Sequence, residues 1–368
     1  MINLYYPLRS LGEGNWFKLI CGASFQHLPA VRSLTLAYAL AGADCVDVAA
    51  DPAVVFAARD ALQAAGDLAV AANARGYAAG IPWLMVSLND GEDPHFRKAE
   101  FDPSTCPTDC PRPCETICPA QAIVFDCSPT SDSSAQPQSG VVASHCYGCG
   151  RCLPICPLGK ITTRSHSSTV TAIAPLLAEV DAIEIHTQVG RFAEFERLWT
   201  AIAPYTQALK LVAISCPDGE GLIDYLWALH DLLTPLSAAL VWQTDGRPMS
   251  GDIGDGATRA AVKLGQKVLN ANLPGFVQLA GGTNSHTVEK LAAIGLLKGQ
   301  NERHIAGIAY GSYARVLLSP LLDKLEQTAA GRPLVLEETP LLWQAVELAH
   351  SLVAPLKAPM KLKQTIPK

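Results

Sequence analysis

Charge is scarce in this chain: Asp, Glu, Lys and Arg make up 17% of its 368 residues, and their balance is a net −6. No Lys/Arg run exists to displace counterions from a phosphate backbone, which excludes a strong electrostatic claim on nucleic acid. Long apolar runs are missing too. About eighteen consecutive apolar residues would be needed to suggest a membrane-spanning helix, and none occur together. The opening stretch carries Arg9, Glu13 and Lys18 and no apolar h-region, so no secretion signal is expected and the chain reads as a soluble, cytoplasmic protein.

What is plentiful is apolar residue, at 49%, enough for a large core, and cysteine, at twelve. Eight of the twelve crowd into two runs between Cys106 and Cys156. In a chain expected to stay in a reducing compartment, that crowding points to metal ligation rather than disulfides.

On either side of these runs the sequence alternates short β-branched or apolar runs with longer helical segments, the pattern of parallel strands with crossover helices. Strands are expected at Phe17–Ala23, Cys45–Ala50, Trp83–Leu88, Ala182–Thr187, Leu209–Cys216, Ala239–Thr244, Gly275–Ala280 and Ile305–Ala309. Eight is the number that closes a barrel. Helices are expected at Pro29–Ala41, Pro52–Ala65, Phe192–Ala203, Leu222–Leu233, Thr258–Ala271, Thr287–Ile294 and Tyr313–Gln327, with a last one at Pro340–Val353 across the outside. The fold expected is α/β: a TIM-like (β/α)8 barrel in two parts, 1–91 with strands one to three and 169–368 with strands four to eight, and a ferredoxin-like α+β module inserted at 92–168. A Ser/Pro/Gln-rich stretch, Ser128–Ser139, reads as an exposed loop within the module.

The run Cys146, Cys149, Cys152, Cys156-Pro157 fits C-x2-C-x2-C-x3-C-P, an iron–sulfur spacing in which the fourth cysteine serves the other cluster. The tight gaps wrap thiolates around one face of a cubane, and turn N–H groups offset the charge on its sulfurs. Cys106, Cys110, Cys114 and Cys118-Pro119 form a looser copy in which both x2 gaps have become x3. The two halves read as an internal repeat. If they exchange their last cysteines, Cys118, Cys146, Cys149 and Cys152 hold one [4Fe-4S] cluster and Cys106, Cys110, Cys114 and Cys156 the other. The bland alternatives are a zinc site or a disulfide knot, and the lengthened gaps leave open a different cluster type in the first run. Cys127, Cys21 and Cys45 read as structural by default.

At the barrel mouth, Gly281, Gly282 and Thr283 follow the seventh strand and Gly311 and Ser312 the eighth, where loops in such barrels often cradle phosphate. FMN or another phosphorylated ligand would suit backbone N–H groups there; tight turns are the plainer explanation of the glycines. Asp47, Asp51, Asn89, Asp90, Glu184, His186, Asp218, Gln243 and Asp245 lie at or near strand ends, without a spacing that singles out a nucleophile and its base. The glycine-rich stretch from Gly246 to Gly256 is long for a βα loop.

The opening Trp16 to Ser24, the segment Val46 to Pro52 and the twin cysteine runs together resemble the cyanobacterial light-dependent period (LdpA) family of iron–sulfur circadian clock input proteins. The resemblance implies iron–sulfur ligation by the cysteine runs, a role in reporting light-driven redox state to the clock, and clock proteins as partners. A redox donor such as the quinone or ferredoxin pool would feed such a sensor. An oxidoreductase with its ligand at the barrel mouth and a plain electron carrier are the competing functions.

Overall fold

The computed structural model describes residues 6–91, 96–118, 120–125, 140–143, 145–146, 148–165, 170–247, 256–328 and 335–357. Three barrel strands come first: β1 (Trp16–Ile20), β2 (Cys45–Ala49) and β3 (Trp83–Asn89). Four short strands of the insertion follow: β4 (Arg97–Glu100), β5 (Ile123–Val124), β6 (Gly140–Val141) and β7 (Thr162–Ser165). The barrel resumes with β8 (Ala182–His186), β9 (Leu211–Pro217), β10 (Ala239–Asp245), β11 (Phe276–Ala280) and β12 (Gly307–Tyr310). All eight barrel strands pair in parallel around a closed ring, β1-β12-β11-β10-β9-β8-β3-β2, so the expected fold is the observed one. β3 and β8, which the insertion separates in sequence, are neighbours, with Met85 opposite Ala182 and Asn89 opposite His186.

Helices coat the outside: α2 (Leu28–Ala41), α3 (Pro52–Ala74), α7 (Phe192–Ile202), α8 (Leu222–Leu233), α9 (Thr258–Asn270), α10 (Thr287–Ala293), α11 (Ser312–Thr328) and α12 (Leu342–Lys357). Their buried faces and the outward strand residues form one apolar cluster that includes Leu34, Val54, Phe195, Leu229, Leu264 and Leu318. α3 runs past the expected stop at Ala65, because Gly66 faces open space and the alanine-rich chain on both sides favours helix. Outside the insertion, two short helices have no counterpart among the expected elements: α1 (Tyr6–Glu13) and α6 (Val170–Leu177). α12 lies against α2 and α11, and Arg75 at the end of α3 stacks 4.0 Å over the Trp343 ring. Among the described residues, no helix is long and apolar enough to cross a membrane.

The barrel interior is tiered. The lower tier is apolar: Trp16, Cys45, Trp83, Met85, Ala182, Leu211, Ala213 and Val241 pack together, with Leu11 of α1 joining them. Two residues further along the strands, the tier is polar instead. Lys18, Asp47, Ser87, Glu184, Ser215, Gln243 and Gln278 are all buried, in a place where such barrels usually stack Val, Ile and Leu.

The insertion has pseudo-symmetric halves. Its outer strands β4 and β7 pair antiparallel, Arg97 opposite Ser165, and its inner strands β5 and β6 do the same, Ile123 opposite Val141. Each half carries one short helix, α4 (Pro113–Ile117) or α5 (Cys152–Ile155), and these two touch.

Candidate iron–sulfur site

Local chain chemistry sets each thiol. Asp102 accepts from the Ser104 N–H at 2.9 Å and starts the turn that leads into Cys106. Cys114 sits on α4 and Cys118 just beyond it; Cys152 opens α5 and Cys156 follows it. In the second run, Gly148 and Gly150 occupy the two x2 gaps with φ of 70° and 72°, which the short turns between thiols demand. The first run has no glycine in its gaps. Arg112, between two prolines, takes the left-handed conformation at φ 49°, and the extra residue in each gap lets an L-residue chain make the turn.

Cys118, Cys146, Cys149 and Cys152 line one cavity of about 190 Å³, together with Ala99, Ala122, Ile123, Val141 and Leu153. This is the set that exchange between the two runs predicts. On the other side, the Cys114 thiol lies within the electrostatic reach of Cys106 and Cys156. Cys110 stands on the turn between, half-buried, its N–H bonded to the Pro107 carbonyl. No three Cys, His, Asp or Glu side chains among the described residues converge on one point as a single metal ion requires. The four thiols face a shared space instead.

The donors around the thiols are those of an anionic sulfur site. Ala122 N–H points at Cys118 Sγ at 3.2 Å, Ala99 N–H at Cys146 Sγ at 3.4 Å and Lys160 N–H at Cys156 Sγ at 3.4 Å. Burial pushes the Cys152 thiol up to about 12, and the neighbouring Cys149, Cys146 and Cys118 add to the shift. Burial raises Cys149 and Cys114 as well. For Cys156 burial acts in the same direction but is outweighed by the Lys160, Leu158, Ile161 and Gly159 N–H groups, which leave it below the ordinary thiol range. Cys114, Cys149 and Cys152 resist ionising as bare thiols, and bound iron would supply the positive charge that makes them thiolates. The residues present therefore fit an iron–sulfur group.

At the barrel mouth the glycines and hydroxyls of the expected phosphate cradle pack against neighbouring backbone and side chains. A Cβ on Gly281 would stand 2.8 Å from the Arg247 nitrogen, and one on Gly282 2.7 Å from the Ala257 carbonyl, so both glycines serve close backbone packing. Thr283 Oγ1 donates to the Ala309 carbonyl at 2.6 Å, and Ser312 Oγ accepts from Arg315 Nη2 at 3.1 Å. Gly311 faces Arg315 and Ile20 at ordinary contact distance. These hydroxyls thus have partners within the barrel. Most of the 246–256 loop lies outside the described residues, as does Cys127. Cys21, Cys45 and Cys216 are buried, and burial raises all three thiols.

Several rim residues named from the sequence do meet, around one that was not. Lys18 Nζ pairs with Glu184, stands 3.4 Å from Asp47 and donates to Gln243 Oε1 at 2.8 Å. Glu184 Oε1 also takes the Gln243 amide at 2.6 Å and lies 2.9 Å from His186 Nε2. Ser87 donates to Asp47, and Ser215 to Asp245. Over this tier, Phe96 of the insertion sets its ring edge-to-face on His186, centroids 5.2 Å apart. Asp90 pairs instead with Arg191 and Thr187, Asp51 caps α3, and Asp218 holds Lys267 at the surface. A lysine in the middle of the Trp16–Ile20 strand, flanked by outward apolar residues, was the available signal for the network.

Thiols from two half-motifs around one cavity, held over the mouth of a parallel barrel, define an iron–sulfur protein of the barrel class. The chain belongs to the light-dependent period A family. Residues 106–167 match the LdpA Fe-S cluster-binding domain, and residues 176–355 the light dependent period A C-terminal domain. It is 52% identical over 357 residues to "Light dependent period A" of Synechococcus elongatus, covering 96% of this chain and 94% of that one. Among solved structures, (S)-3-O-geranylgeranylglyceryl phosphate synthase from Thermoplasma acidophilum, with bound sn-glycerol-1-phosphate, aligns over 97% of this chain and 99% of that chain, at 12% identity and a TM-score of 0.36. That likeness is too slight to inform either fold or ligand.

Proposed function

We propose that this protein is a cytoplasmic redox sensor that carries two [4Fe-4S] clusters and passes the state of photosynthetic electron flow to the circadian clock. Cys118, Cys146, Cys149 and Cys152 hold one cluster, and Cys106, Cys110, Cys114 and Cys156 the other. The observation that carries this reading is the cavity onto which Cys118 of the first run and three cysteines of the second all open. The light-dependent period in the relative's name supports the clock role. Electrons arrive from the quinone or ferredoxin pool, and gain or loss of an electron alters charge and order in a module poised over the barrel mouth, where clock proteins read it.

Protein purified without oxygen should contain about eight irons and eight sulfides per chain and give the EPR signature of reduced cubanes. Pull-downs with clock proteins should differ between intact and cluster-stripped protein. Zinc at the thiols, or identical partners in both states, sinks the sensor.

A second reading, an oxidoreductase acting at the barrel mouth, is favoured by the buried Lys18–Glu184–His186 tier, because residues from the ends of several strands do the chemistry in such barrels. It predicts a bound flavin or small ligand in purified protein, released on denaturation. A chain that yields none, and turns over no electron acceptor, removes this reading.

A further inference from the structure

A hydrogen-bonded path from the Cys118/Cys146/Cys149/Cys152 site to the barrel runs through one buried cation. Lys98, on β4, is 8% exposed, and its Nζ donates to the Ala143 carbonyl at 2.7 Å and to Gln26 Oε1 at 2.8 Å. Gln26 lies before α2 on the barrel rim and passes its own amide to Asp51 Oδ2 at 3.0 Å. Asp51 Oδ1 caps α3, accepting from the Ala53 and Val54 N–H groups at 2.9 and 3.3 Å. On the module side, the next residue, Ala99, gives its N–H to Cys146 Sγ. Burial disfavours the Lys98 ammonium, and the two negative groups that sustain it are Cys146 on one side and Asp51 on the other. One of these belongs to a site whose charge changes with its redox state, and the other is fixed to the barrel.

We propose that Lys98 is a positioning residue that shares one positive charge between the Cys118/Cys146/Cys149/Cys152 cluster and Asp51, so that the cluster's oxidation state is felt at the first turn of α3. The inference rests on the cluster assignment above. Reduction by one electron makes the cluster one unit more negative, and no bond in the protein forms or breaks. The cluster then takes a larger share of Lys98, and the Gln26–Asp51 side loses it. Coupling of this kind is reciprocal, so a change at Asp51 must also move the cluster's potential. The signs are fixed by charge. Removing the lysine charge disfavours the reduced state, and removing the aspartate charge favours it.

The test is a redox titration, followed by EPR, of anaerobically prepared full-length protein, with dithionite as reductant. Lys98→Met should move the reduced-to-oxidised ratio of one cluster about tenfold toward oxidised at fixed potential, about 59 mV for a one-electron couple, and leave the other cluster in place. Lys98→Arg, which keeps the charge, should bring the ratio most of the way back to the wild-type value. Asp51→Asn, which keeps the helix cap, should move the same cluster the opposite way by a smaller factor. Hydrogen exchange at residues 51–56 should quicken on reduction in the wild type and stay level in Lys98→Met. Full iron with unchanged potentials in both variants overturns the inference and leaves the two-cluster reading intact; wild-type protein without cubanes overturns that reading instead. If Lys98→Met fails to hold iron, Asp51→Asn decides: a shift of the same cluster toward reduced supports the role of Lys98, and no shift or a shift toward oxidised refutes it.

Discussion

The barrel buries Trp16, Trp83 and Met85 within its ring and Leu34, Phe195, Leu229 and Leu318 under its helices, whereas the core of the inserted module is Cys114, Ile123, Cys152 and Ile161 with a few half-buried neighbours. Two of those four core residues are themselves thiols of the cluster site. Apolar burial at about 25 cal/mol per Å² can hold a closed barrel together, but it cannot order a module this thin. The barrel is held by its own side chains, and the module by what its side chains hold. Ligation and folding are therefore expected to be one event in the second and separate in the first.

The harshest way to break this comparison is to remove the iron. Chelation under reducing, anaerobic conditions should leave amides across 97–165 exchanging almost as in an unfolded chain, while β1, β2 and β8 to β12 keep their protection. Loss of protection in both regions together would make the division false. Single thiols test it more finely. Cys118→Ala and Cys156→Ala should each cut iron from about eight to about four per chain, Cys118→Ala by losing the cluster of the second run and Cys156→Ala that of the first. Equal damage to both clusters in each variant would argue against exchange of the last cysteines.

On the barrel side the exposed weakness is the polar tier. Lys18→Met leaves Glu184 and Asp47 buried without their cation and should cost about 3–5 kcal/mol in urea unfolding; Lys18→Met combined with Glu184→Leu should cost less than the two changes summed. A smaller effect belongs to the seam between the regions, where the ring of His27, at the start of α2, meets that of His145 of the module at a tilt of 58°, centroids 4.3 Å apart. Burial, then the neighbouring His145, pulls the His27 pKa down to about 4. The unfolded chain takes up a proton below about pH 6.5 that the folded imidazole refuses, so this contribution is complete above that pH and fades as pH falls toward 4. The loss should be on the order of 1–2 kcal/mol after screening at this partly exposed site, and His27→Phe should flatten the slope of stability between pH 4 and 6.5.

The barrel strands were legible because each is a run of β-branched or apolar residues bounded by turn residues, as at Cys45–Ala49 and Ala182–His186. The grouping of Cys118 with Cys146, Cys149 and Cys152 around one cavity was legible from spacing alone. β4 and β7 were not: Arg97-Lys98-Ala99-Glu100 and Thr162-Thr163-Arg164-Ser165 show no apolar alternation, since their pairing is fixed by the ends of an insertion and not by a core face. The Lys18 network escaped for a related reason. Period two tells which residues of one strand point inward, but only the register of eight strands brings Lys18, Glu184 and Gln243 to one height.

The antiparallel bond between Arg97 and Ser165 sets the entrance and the exit of the insertion side by side, and β3 and β8 are already neighbours in the ring. Seen from the barrel, the whole module is therefore hardly longer than a tight loop, and its closure entropy is borne by its own outer strands. Changes in the length of the module between those strands therefore need not displace the host ring.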